Sequence, residues 1–120
     1  MSKLGYTPKV WGETACVIRH PVFSVHHIRV WPGGYCSVHR HAHRVNLFHV
    51  LSGELVVHTW SCMTDRPVTT LLRSGEQCAV PAGMYHKFLS GTGADVLEIY
   101  YPILPQDDDI ERITEGGRSS

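Results

Sequence analysis

Between Ser37 and Gly53 the chain reads Ser-Val-His-Arg-His-Ala-His-Arg-Val-Asn-Leu-Phe-His-Val-Leu-Ser-Gly, which gathers four of its nine histidines into one short stretch. Three of them, His39, His41 and His43, stand at alternate positions. Successive side chains of an extended strand point to opposite faces, so these three project together. Imidazoles on one face can share a divalent transition metal. They can equally form a solvated, histidine-rich edge, and the stretch alone does not choose.

The elements around it are read from turn signals and period-two patterning. Glu13 to His20 is rich in β-branched residues and stops at Pro21, which predicts a strand and a breaker. Phe23 to Trp31 predicts a second strand, with His26, Ile28 and Val30 on one face and His27, Arg29 and Trp31 on the other. Pro32-Gly33-Gly34 marks a turn, and another strand should begin near Tyr35. Val45 to Leu51 and Glu54 to Trp60 flank Ser52-Gly53, the pattern of a hairpin. Val68 to Arg73, Gln77 to Val80, His86 to Ser90 and Asp95 to Tyr101 complete a series of short strands separated by turns. With no long segment of helical period, the expectation is an antiparallel all-β sandwich or barrel.

Composition narrows the classes. At 120 residues the chain fits one domain and is too short for two. Lys plus Arg equals Asp plus Glu at 11 each, without a basic block, so nucleic acid is not an expected partner. No apolar run approaches the roughly 18 residues that span a bilayer, so no membrane contact is expected and the protein is read as cytoplasmic. Cys16, Cys36, Cys62 and Cys78 form no Cys-x-x-Cys pair and are expected to be buried thiols.

Two spacings occur in order, Gly33-x5-His39-x-His41-x4-Asn46-x6-Gly53 and Gly75-x5-Pro81-x-Gly83-x2-His86. Each resembles a cupin motif. The resemblance implies a small jelly-roll β-barrel in which His39, His41, Asn46 and His86 are the metal ligands. Asn46 stands where the family normally carries Glu, and Ser90 stands where the second motif ends in Asn. Asn is a neutral, weaker oxygen donor, so the site becomes effectively three-histidine. A different register would bring His43 or His49 to the fourth position, and loss of the metal would leave a vestigial pocket. The ion is expected to be one divalent transition metal, and imidazoles do not choose among iron, zinc, manganese and nickel.

Trp11-Gly12-Glu13, His41 to Asn46 and Asp108 to Arg112 are similar to the C-terminal cupin domain of type II mannose-6-phosphate isomerases and mannose-1-phosphate guanylyltransferases. That likeness implies metal-dependent interconversion of mannose and fructose 6-phosphates. Here Asn46 replaces the Glu, the first ligand position commonly held by Gln is His39, and Gly116-Gly117-Arg118 stands in place of a Tyr-Gly-Arg ending. Cupins with three neutral ligands point instead to iron(II) dioxygenases acting on thiols or diketones, and a third possibility is a non-catalytic module holding a sugar or organic anion. The general base of an isomerase is sought among His26, His27, His49 and His58. Pocket positions are sought at Tyr35, Tyr85 and Tyr100, and an anion partner at Arg29 or Arg44. Trp31, Trp60 and Phe88 suit either the core or a ligand-binding mouth. The division expected is an N-terminal arm over 1–10, the barrel over 11–104 and an acidic tail over 105–120, with Asp107 to Asp109 leading a short helix through Ile110 and Ile113 and with Gly116 to Ser120 frayed. Resemblance also implies a homodimer, formed through an N-terminal strand and sheet edges, acting on a small molecule.

Overall fold

The alternation of apolar and polar residues becomes twelve strands in the computed structural model, which describes residues 5–102 and 110–119. In chain order they are β1 (Thr7–Lys9), β2 (Gly12–Arg19), β3 (Ser24–Val30), β4 (Gly34–Tyr35), β5 (His39–His41) and β6 (Val45–Trp60). There follow β7 (Val68–Arg73), β8 (Gln77–Val80), β9 (Tyr85–Ser90), β10 (Ala94–Tyr101), β11 (Ile110–Arg112) and β12 (Gly117–Arg118). Their pairings are antiparallel, and the sheet runs β1-β2-β3-β10-β6-β9-β4-β12, curling into the expected jelly-roll barrel. The described residues contain no helix, and so none long and apolar enough to cross a membrane.

The barrel closes through β6. Its first half, Asn46 to His49, lies between β10 and β8, while its second half, Glu54 to Thr59, lies against β7 and β9. The expected hairpin at Ser52-Gly53 is therefore absent, because the two runs never pair with each other. Their partners come from distant strands, and the Ser-Gly signal marks a bend inside one continuous strand. At the bend the register against β10 shifts between Asp95 and Val96, and Gly53 has φ of 81°. A Cβ there would lie 2.2 Å from the Gly93 carbonyl oxygen, so the crossing requires glycine.

Side chains facing inward from both halves form the core. Ile28, Phe48, Val50, Leu55, Val57 and Val96 are fully buried and come from β3, β6 and β10. Phe88 joins this core, whereas Trp31 is exposed and Trp60 half-buried. The cysteines are all free, but only Cys36 is buried, and Cys62 is exposed. Burial and the Phe88 amide that donates to its sulfur at 3.1 Å mark Cys36 as structural, and burial pushes its thiol up to about 12.

Thr7–Lys9 of the arm is a strand on the edge of β2, and the C-terminal end departs from expectation. The acidic run Asp107 to Asp109 lies outside the described residues, but Ile110, Glu111 and Arg112 pair with His41, Arg40 and His39 in place of the expected helix. Gly117 and Arg118, expected to fray, pair with β4. Local helix signals lose here to the open backbone edge of β5 and β4, which those residues satisfy.

Candidate metal centre

Three strands and one bend bring the candidate ligands together. β5 holds His39 and His41 two residues apart, both turned inward, with 7% and 2% of their surfaces exposed. β9 brings His86 opposite His39 in register, and the turn before it is tied to β5 by the Gly83 amide donating to the His41 carbonyl at 2.7 Å. One ring nitrogen from each of His39, His41 and His86 lies within 4.8 Å of the others. The gap between His41 and Asn46 holds a bend, which re-aims the chain so that Asn46 also points inward, 1% exposed. His43 sits exposed on that bend, and among the described residues the cluster is His39, His41 and His86 without it.

Backbone carbonyls set the imidazole tautomers. His39 Nδ1 donates to the Ser37 carbonyl at 2.7 Å, and His86 Nδ1 donates to the Met84 carbonyl at 3.2 Å. With the proton on Nδ1, each Nε2 presents its lone pair, the form a metal ligand needs. Burial holds both rings neutral. It pushes His86 down to about 3, helped by His39, and pushes His39 down, helped by Arg112 and Arg44.

Asn46 departs from the role of a plain carboxylate substitute. Its Nδ2 donates to Glu98 Oε2 at 3.3 Å and lies 3.2 Å from His86 Nε2, while its buried Oδ1 has no hydrogen-bond partner among the described residues. Glu98, on β10 and 8% exposed, is a carboxylate that motif reading passed over. Burial pushes its carboxyl up, against hydrogen bonds from Tyr100 and Asn46. A signal for it existed. Ala94, Val96, Glu98 and Tyr100 alternate along β10, so placing Val96 in the core places Glu98 inside too.

An open cavity of about 600 Å³ reaches the cluster at His39. His39, His26, Glu98 and Tyr100 form part of its wall, with Trp11, Lys9 and Arg112 also lining it. Of the histidines expected as bases, only His26 is there, 3.0 Å from Ser24 Oγ. His27 lies on the outer face between Tyr6 and Asp95, His49 pairs with Gln77, and His58 with Thr69. Tyr35 stands under Lys87, and Tyr85 donates to Glu111 beneath Arg40. Arg29 pairs with Glu13 and Asp95 outside the barrel, whereas Arg44 covers the Tyr100 ring at 4.0 Å.

These residues fit a metal ion. Three buried imidazoles, two of them with lone pairs oriented by backbone carbonyls, and an orphaned buried amide oxygen are a donor set for a cation, and burial makes that set costly without one. Comparison with known proteins agrees in fold. Residues 26–100 match the family described as "Cupin domain". The mannose-1-phosphate guanylyltransferase of Klebsiella pneumoniae is 32% identical over 108 residues, 88% of this chain and 21% of that protein, so the chain spans about a fifth of the relative's length. The capsular polysaccharide assembling protein CapF of Staphylococcus aureus superposes with a TM-score of 0.80 at 19% identity, over 95% of this chain and 35% of that one. KdgF from Halomonas sp. superposes with a TM-score of 0.72 at 14% identity, over 82% of this chain and 87% of that one.

Proposed function

Since the chain belongs to the cupin family, we propose that it holds one divalent transition metal on His39, His41 and His86, beside Asn46, and uses it on a small polyhydroxylated molecule in a sugar or sugar-phosphate isomerase-like reaction. The observation that carries this is the convergence of three buried imidazoles beside an open cavity of about 600 Å³ that His39 lines, a volume suited to a small ligand. A relative named for mannose 1-phosphate supports a sugar phosphate as the class of substrate. When bound, the ion supplies Lewis acidity toward carbonyl and hydroxyl oxygens. The chain does the rest. Lys9 and Arg112 on the cavity wall attract an anionic end, and the Trp11 ring offers an apolar face to the C–H groups of a sugar. His26 takes a proton from one substrate carbon and returns it to the next, with Ser24 Oγ fixing its ring.

Metal analysis of the purified chain, followed by titration with manganese(II), iron(II) and zinc(II), tests the centre, and aldose–ketose interconversion of sugar phosphates followed by NMR tests the reaction. His26→Ala should lower kcat by about 10²-fold or more with metal content unchanged. Failure of the unaltered chain to bind any of the three ions overturns the reading. The neutral side chain of Asn46 favours a second reading, a three-histidine iron(II) dioxygenase. Oxygen uptake with thiol or diketone substrates and no isomerase activity would select it, and metal binding without either activity would select a non-catalytic binding module.

Association as a homodimer is supported by the barrel's outer face. Ile18, Ile99, Leu47 and Ala79 lie in one row across β2, β10, β6 and β8, with Val25 of β3 buried between Ile18 and Ile99, and Ile18 is 52% exposed. A monomer mass in solution excludes it. Four free thiols support a reducing, cytoplasmic setting.

A further inference from the structure

Glu98 poses a problem of charge. A carboxylate 8% exposed at the back of a cavity is costly to desolvate; its hydrogen-bond partners, Asn46 and Tyr100, are neutral, and Arg44 and Lys9 act on it only through space. The candidate metal site poses the opposite problem. Three imidazoles and an amide bring no negative charge to a divalent cation. The two meet at one group. Asn46 Nδ2 stands between Glu98 Oε2 at 3.3 Å and His86 Nε2 at 3.2 Å, so a single amide separates the carboxylate from an imidazole that faces the ion. A carboxylate accepts and does not donate, so it also decides which end of the amide turns toward it.

We infer that Glu98 is the positioning residue and counter-charge of the metal centre: it fixes the orientation of the Asn46 amide and supplies, one strand over, the negative charge that Asn46 itself does not carry. This rests on the metal-centre reading above. The carboxylate lies on β10, where Tyr100 pairs with Asn46 and Glu98 with Phe48 in register, and both Glu98 and Asn46 point inward. Such outer partners orient ligands and tune the ion without touching it.

Cobalt(II) is the probe, read by calorimetry and by its visible absorption, on the full chain stripped of metal. Glu98→Gln, nearly isosteric and neutral, should weaken cobalt binding by about 10–100-fold. Its melting temperature without metal should equal or exceed that of the unaltered chain, because the buried charge is gone. Returning the charge one residue over, in Asn46→Asp combined with Glu98→Gln, should recover most of the lost affinity. Cobalt affinity within about threefold of the unaltered chain in Glu98→Gln overturns the inference and leaves the metal centre standing. A loss of affinity matched by a lower metal-free melting temperature overturns it too, since that is what a merely structural residue would do. No cobalt binding by the unaltered chain overturns the metal centre and this inference with it.

Discussion

Four strands each carry a polar side chain at one end of the barrel interior and an apolar one two residues away. β3 has His26 beside Ile28, β6 has Asn46 beside Phe48, β9 has His86 beside Phe88, and β10 has Glu98 beside Val96. On β6 and β9 the two ends are equally shut off from water, His86 being 1% and Phe88 2% exposed, Asn46 1% and Phe48 0%, whereas His26 and Glu98 line the open cavity. Equal burial carries opposite energetic signs. At the apolar end it removes hydrocarbon from water and stabilises the fold, while at the polar end it strips donors and acceptors that the chain only partly satisfies. One end holds the barrel together, and the other holds the chemistry at a cost.

The contrast breaks first at Phe48. Phe48→Ala should lower unfolding stability by about 3–5 kcal/mol in denaturant titration, since a large void opens where β3, β6 and β10 meet. Metal affinity per folded molecule should change little. A loss below about 1 kcal/mol would mean that the apolar end is not what holds the fold.

Acid should act on the polar end. His86 is pushed down to about 3 and His39 is also lowered, both chiefly by burial, whereas an unfolded chain protonates its histidines near their ordinary value of about 6.5. Between those values the unfolded state binds more protons, so stability is present above about pH 6.5 and falls as pH drops toward 3. Each such imidazole contributes up to about 1.4 kcal/mol per pH unit. Metal-free melts at pH 7, 5 and 4 measure the slope, and His86→Leu should flatten it. The same slope in both proteins would show that His86 is not held neutral.

Ser90 marks a smaller polar feature at the apolar end. Its hydroxyl, 1% exposed, donates to the Glu54 carbonyl at 2.6 Å and accepts from the Gly93 amide at 2.9 Å, fastening the β9–β10 turn to the bend of β6. Ser90→Ala strands both backbone groups and should cost about 1–3 kcal/mol with cobalt affinity unchanged. An altered affinity would connect the two ends that are separated here.

How far each end could be read in advance follows from the same difference. Period-two alternation and the Pro and Gly turns located β2, β3, β7, β8, β9 and β10 closely, because those signals are local. The resemblance to cupin motifs pointed to His39, His41 and His86, which the barrel brings together, and to Asn46, which lies beside His86. Non-local partners were not legible. Ile110 to Arg112 became a strand only because β5 offered an edge, and Ser52-Gly53 became a bend only because β10 and β9 claimed the two halves of β6. Glu98 belongs to neither motif, and only the inward phase of β10 reveals it.

The least disruptive substitution tests the contrast hardest. His86→Leu replaces a desolvated imidazole by hydrocarbon beside Phe48, whose ring lies 6.1 Å from it. The change gives up a 3.2 Å hydrogen bond to the Met84 carbonyl and removes the neighbour of Asn46 Nδ2, which keeps Glu98. Those losses and the gain in apolar burial are each on the order of 1 kcal/mol, so metal-free stability at pH 7 should move by no more than about that amount. What disappears is the response to metal. An ion at a hundred times its dissociation constant adds about 2.7 kcal/mol to the unaltered chain and should add none to His86→Leu, since two imidazoles remain of three. Thermal melts with and without cobalt(II) read both quantities together. If His86→Leu falls as far as Phe48→Ala in the absence of metal, His86 is part of what holds the barrel, and the division between its two ends is wrong.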